Sequence, residues 1–210
     1  MNKLGLFLLS LMATSIQGVC AEKDINMSLN SSDSGIVWEV KPQADLENAT
    51  GEQISTPGFK MPDYVKGVVP GTVFTAYVDA GIVPDPNYAD HIYKVDETFY
   101  NRPFWYRTEF KLPASYSKGK RVWLHFDNTN RFADFYLIKK SGKNAIAVLI
   151  TDPDQKKTRK AKDPYGVACS PSYLAGAGWD WMPYVPGRLA GITGNTYLMV
   201  TGDVVMEDPW

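Results

Sequence analysis

Of the 210 residues, only two are cysteines, Cys20 and Cys169, and only two are histidines, His91 and His125. Four such residues so far apart make no metal-ligand spacing, and no cofactor is implied. There is no Gly-x-Ser-x-Gly elbow and no phosphate-binding glycine loop, because Gly176 and Gly178 lack the strand and helix context that such a loop needs. Net charge is also nearly absent. A balance of −1 with interspersed signs gives no basic footprint for nucleic acid and no polybasic membrane patch. The basic run from Lys156 to Lys162 reads as a solvated loop. Long hydrophobic runs are missing except at Leu4 to Ile16, which is too short to span a bilayer as a mature helix. No internal repeat or low-complexity tract is present.

That one apolar run follows Lys3 and precedes Val19-Cys20-Ala21, the pattern of a signal peptide spanning 1–21. Cleavage after Ala21 is the expected outcome, with a mature chain that starts at Glu22 and is exported to the periplasm or secreted. The alternative is a lipid anchor on Cys20, although Val19 and Gln17 are poor neighbours for acylation. If Cys20 leaves with the signal, Cys169 has no partner for an internal disulfide, and stability must come from the core. With 44% hydrophobic and 13% aromatic residues, about 190 mature residues suffice for one sizeable domain. Residues 22–35 are rich in Asn, Ser and Asp and read as a polar, mobile leader, so the domain is expected over 36–210.

Within that span the apolar period is mostly two. Ile36 to Val40 is a short β-type run, followed by an expected loop from Lys41 to Lys66. Tyr106, Thr108, Phe110 and Leu112 alternate with Trp105, Arg107, Glu109 and Lys111, the signature of a half-buried strand. Val122, Leu124 and Phe126 repeat it, with His125 on the opposite face as a structural or rim residue. Phe132 to Ile138 and Asn144 to Ile150 flank Lys139 to Lys143, a spacing for a hairpin with Gly142 in its turn. Thr196 to Val200 and Val204 to Met206 read as closing strands. One short helix is expected after Pro70-Gly71-Thr72, with Val73, Phe74, Tyr77 and Val78 on one face and Gly81 as C-cap. The fold class is therefore all-β, an antiparallel sandwich with one short helix.

Gly176 to Arg188 is too irregular for a strand and is shaped by glycines and prolines. Inside it, Trp179-Asp180-Trp181 sets two indoles around a carboxylate. Pyranose rings offer C–H faces to aromatic planes, and a carboxylate accepts hydrogen bonds from paired hydroxyls. Composition alone equally allows Trp179 and Trp181 as packing anchors, with Asp180 capping the loop backbone. Glycoside hydrolysis usually needs two carboxylates about 5–5.5 Å or 6.5–9.5 Å apart. The acidic residues mostly sit beside Gly, Pro or Asn as turn formers, and nothing singles out a pair, so no catalytic residue is named.

Five motifs occur in one order: Val69-Pro70-Gly71-Thr72-Val73, Ala80 to Pro86, Phe104 to Phe110, Arg121 to Asp127, and Gly178 to Pro183. In these the chain, from about Trp38 onward, resembles the N-terminal sugar-binding domain of family 2 glycoside hydrolases, nearest to the β-mannosidase and exo-β-glucosaminidase branch. The resemblance implies a galactose-binding-like jelly roll that, in full-length enzymes, precedes immunoglobulin-like domains and a TIM barrel holding both catalytic glutamates. It also implies that Trp179, Asp180 and Trp181 contact a terminal β-linked hexose or hexosamine, while Trp105 and Arg107 stay structural. Two departures stand out. After Asp134 to Leu137 an Asn-Gly turn and roughly two strands of the family pattern are missing, so a sheet edge or core face is expected to lie uncovered. In addition, a (β/α)₈ barrel needs about 250 residues, and none follows Trp210. The favoured expectation is a sugar-recognition domain whose catalytic partner is a separate chain or a missing C-terminal region. A stand-alone exported carbohydrate-binding protein and a fragment without present function are the alternatives.

Overall fold

A computed structural model describes residues 25–33, 35–100, 102–112, 121–130, 132–138, 142–151 and 190–201. These contain strands β1 (Ile25–Ser28), β2 (Trp38–Pro42), β3 (Val65–Gly67), β4 (Phe104–Lys111), β5 (Arg121–Phe126), β6 (Phe132–Ile138), β7 (Lys143–Thr151) and β8 (Thr196–Thr201). They form two antiparallel sheets, one in the order β1-β8-β5 and the other β3-β2-β4-β7-β6. The sandwich is all-β, as the period-two pattern requires. The segment Val204 to Met206, expected as a strand, lies outside the described residues.

Between the sheets, Trp38 and Val40 of β2, Phe104 and Tyr106 of β4, and Ile146, Val148 and Ile150 of β7 meet Leu198 and Val200 of β8. Each large apolar side chain fully buried in this layer contributes roughly 1.5–3 kcal/mol. The Trp38 indole N–H is not stranded there; it donates to Leu29 O at 2.7 Å. Leu29 itself is buried, and β1 pairs with β8 along its whole length. The polar leader thus ends sooner than its composition suggests, because Ile25 to Leu29 have a strand edge to add to. Strand structure is present at Ile25–Ser28, within the stretch expected as leader.

The expected helix is α2 (Val73–Asp79), with Thr72 as N-cap accepting from Thr75 N. Val73, Phe74 and Tyr77 are buried on its inner face, and Gly81 follows it at φ +69°, a conformation that glycine adopts without strain. It has short companions, two of them within the expected loop from Lys41 to Lys66. A 3-10 turn over Gln43–Leu46 and α1 (Gly51–Ile54) lie between β2 and β3, while a 3-10 turn at His91–Lys94 and α3 (Glu97–Tyr100) precede β4. Single turns carry too little apolar periodicity to stand out. The capping box of α1, in which Thr50 Oγ1 accepts from Gln53 N and Thr50 N donates to Gln53 Oε1, is nonetheless written in the order Thr50-Gly51-Glu52-Gln53.

This inserted segment corrects a second expectation. Strand β4 was read as half-buried, but both of its faces are covered. Leu46, Ile54 and Met61 pack on Trp105 and Ala147, closing a second apolar cluster on the outer face of the larger sheet. Arg107, on the same face, is 2% exposed. Its Nε donates to Ile54 O at 2.9 Å, Nη2 to Thr56 O at 3.1 Å, and Nη1 to Glu39 Oε2 at 2.9 Å. Nη2 also donates to Glu109 Oε1. Glu109 in turn accepts from Gly58 N at 2.6 Å and pairs with Lys143. Trp105 and Arg107 are thus structural.

Partial burial would raise the Glu109 carboxyl, but hydrogen bonds from Lys143, Arg107 and the Gly58 N–H, with the guanidinium charge, outweigh it and hold the group at about 2. A carboxyl held low when folded adds stability above its unfolded value of 4.5, and that stability fades as pH falls toward about 2. Glu109→Gln should therefore lower stability near neutral pH and flatten the decline between these two values. Denaturant melts at a series of pH values read this directly; parallel curves for variant and parent would refute it.

Candidate functional site

Trp179, Asp180 and Trp181 lie outside the described residues, within 152–189. The structure does define where this segment leaves and rejoins the sandwich. Thr151, the last residue of β7, pairs with Phe132 at the start of β6. On the return side, Gly191 forms a bridge with Asn130. Asn130 and Phe132 are two residues apart, a span of at most about 7 Å, and paired strands lie about 5 Å from one another. Thr151 and Gly191, which flank 152–189, are therefore held at one end of the sandwich, within a few side-chain widths of each other.

The return point is tightly built. Val73 N donates to Ala190 O at 2.9 Å and Gly71 N to Ile192 O at 2.8 Å, so the chain runs against the N-terminal turn of α2. Gly191 allows that approach: a Cβ there would meet Gly71 O at 2.5 Å and Thr72 Cα at 2.7 Å. Beyond it, Thr193 N and Gly194 N both donate to Asn128 O, and Asn195 Nδ2 donates to Asp127 Oδ2 at 3.1 Å, which ties the approach to β8 onto the β5–β6 turn. Sequence reasoning missed these residues, because each looks like an ordinary turn former until its partner across the sandwich is known.

Aromatic packing stiffens the same end. Phe99, Tyr100 and Phe104 surround Tyr77 of α2 in edge-to-face contacts with ring centroids 5.2–6.3 Å apart. Burial pushes the Tyr77 and Tyr100 hydroxyls up to about 12, so both stay neutral under ordinary conditions. Arg102 lies over the Phe99 ring at 5.0 Å. Beside it, a cavity of about 350 Å³ is lined by Gln43, Leu46, Glu47, Arg102 and Pro103 among others. The mix of donors, a carboxylate and apolar surface there suits a polar ligand with C–H faces more than a purely apolar one. Glu39 and Glu109 are committed to Arg107 on the outer face of the sheet, and Glu109 is held low, the wrong direction for a proton donor at neutral pH. His125, on the outer face of the smaller sheet as expected, stacks on Tyr197 with centroids 4.9 Å apart. Among the described residues no group of His, Cys, Asp and Glu could hold a metal ion.

Comparison with known proteins places these features. A mannosylglycoprotein endo-β-mannosidase of Lilium longiflorum is 27% identical over 213 residues, which cover 84% of this chain but 21% of that protein. Among solved structures, the exo-chitosanase of Amycolatopsis orientalis superposes with a TM-score of 0.62 at 17% identity, over 85% of this chain and 21% of that one. The β-D-mannosidase from Dictyoglomus thermophilum gives 0.60 at 20% identity, over 83% and 22%. The chain thus spans about a fifth of the length of the relatives it matches, and the two structural likenesses concern the fold. Residues 38–141 match the family model of the glycosyl hydrolase 2 galactose-binding-like domain. Over these residues the chain is similar to the galactose-binding-like N-terminal domain of family 2 glycosyl hydrolases.

Proposed function

We propose that this chain is the sugar-recognition domain of an exported β-glycosidase, and that Trp179, Asp180 and Trp181 contact the terminal β-linked hexose or hexosamine of the substrate. The observation that supports this reading is that the two described residues flanking this stretch, Thr151 and Gly191, are held near each other at one end of a galactose-binding-like sandwich. A rigid base matters because a sugar site needs its aromatic planes and acceptors held in fixed relation. Hydrolysis falls to a barrel with its own pair of carboxylates, in a separate chain or a C-terminal region, with immunoglobulin-like domains between. The barrel would complete the site, so binding by the chain alone is weak.

Calorimetric titration with oligomers of β-mannose, glucosamine and galactose should give binding in the millimolar range, about −4 kcal/mol, for one of the three. Trp179→Ala and Asp180→Ala should each abolish it without changing the thermal transition. No heat with any sugar, from a sample that melts cooperatively, would reject the reading, as would release of product from aryl β-mannosides by the chain alone. Export has its own test: mass spectrometry of the chain from its native host should find Glu22 as the first residue. An acylated Cys20 would assign it to a membrane surface instead.

A further inference from the structure

The two sheets end on the same flank, one in β5 and the other in β6, and among the described residues neither strand has a neighbour along its outer edge. The edges meet there: the rings of Phe126 in β5 and Phe135 in β6 are 4.6 Å apart. By register, Phe135 and Leu137 share a face of β6 with Ala133, the face toward the layer between the sheets. They are nonetheless 48% and 46% exposed, with Phe132 at 58% and Trp123 of β5 at 40%. The opposite flank is different, since it ends in the short strands β1 and β3, of four and three residues, and β3 carries Lys66. Strand β6 is seven residues long, has no proline or glycine, and bears a single charge, Asp134. Natural sheets seldom leave a long apolar edge unguarded, because its free N–H and C=O groups template further pairing.

We infer that this flank is an interface with a second copy of the chain, in which β6 pairs antiparallel with its two-fold mate about Phe135. Three constraints select that arrangement. First, a continuous sheet must set the inner-facing residues of one copy beside those of the other, which allows only registers that pair residues of like parity. Second, of those registers, the one centred on Asp134 would oppose two carboxylates, an arrangement that destabilises a cross-strand pair. Third, centring on Tyr136 shortens the ladder, whereas centring on Phe135 pairs all seven residues, with Asp134 opposite Tyr136 and Ala133 opposite Leu137. A net charge of −1 gives two copies almost no mutual repulsion. The axis closes the contact on itself, so pairing stops at the dimer. The interface does not depend on the sugar reading.

Light scattering coupled to size exclusion, on the full chain over about a hundredfold range of concentration, should show a monomer–dimer equilibrium. Replacing both exposed residues, Phe135→Lys with Leu137→Lys, should weaken it by tenfold or more. The register has a separate readout. In a background of Cys20→Ser and Cys169→Ser, Phe135→Cys should form an intermolecular disulfide under mild oxidation, because directly paired Cα atoms lie about 4.5–5.5 Å apart. Tyr93→Cys, at a position 89% exposed and away from this flank, should not. A chain that stays monomeric at every concentration, a dimer indifferent to the two lysines, growth beyond the dimer, or equal cross-linking at both cysteines would each overturn the inference. So would protection of the β6 amides from exchange only after another polypeptide is added, which would give the edge to that partner. The cross-link keeps the test decisive even if the double lysine variant fails to fold.

Discussion

A single guanidinium holds the larger sheet and its outer cover together. Arg107 sits in the middle of β4, and its nitrogens reach the backbone of Ile54 and Thr56 in the covering segment, Glu39 on β2, and Glu109 two residues along its own strand. A buried cation is costly unless every donor is matched, and here the match consists of two carboxylates and two carbonyls. This has a structural consequence. Helix α1 and its neighbouring turns are too short to be stable alone, so they hold their place by giving carbonyls to Arg107 and apolar side chains to Trp105. The sheet gains a dry outer face, and the stretch between β2 and β3 is fixed instead of hanging free.

That fixation reaches the end of the sandwich where Thr151 and Gly191 lie. The Gln43–Leu46 turn begins the covering segment, and Gln43 N donates to Pro103 O, so the turn is tied to the start of β4. The same end carries the aromatic cluster around Tyr77, the tight passage of Gly191 against α2, and the residues that flank 152–189. Rigidity is concentrated there. The far flank, where β5 and β6 leave half-exposed aromatic and aliphatic side chains, is the complement: an apolar surface with little charge and no covering strand among the described residues. Among the described residues, one end of the sandwich is tightly bonded and one flank carries half-exposed apolar side chains.

Much of this was legible because β-structure writes itself in local alternation. Strands β4 to β8 stand within a residue or two of where the period-two runs placed them, and Thr72, Val73 and Gly81 marked α2 correctly. The failures have a common cause. Ile25 to Ser28 look like leader because four residues of mixed polarity gain strand character only from a partner in β8. The segment from Lys41 to Lys66 looks like loop because its turns are stabilised by a face of β4 far along the chain, with Ile54 and Thr56 bonded to Arg107 across 53 and 51 residues. Burial of Arg107 and Trp105 was invisible for the same reason: alternation tells the two faces of a strand apart, but not whether the second face is covered.

The sequence by itself determined the class of fold, the order of the main strands, the family resemblance, and the residue types at Trp179-Asp180-Trp181 that suit a sugar, because each rests on local pattern or motif order. Only the tertiary structure decided that Thr151 and Gly191 are held by Phe132 and Asn130, that Arg107 binds the outer layer to the sheet, and that β6 is an edge strand among the described residues. Those are relations between residues distant along the chain. They depend on which strand lies beside which, and the chemistry of a single stretch does not specify its neighbour.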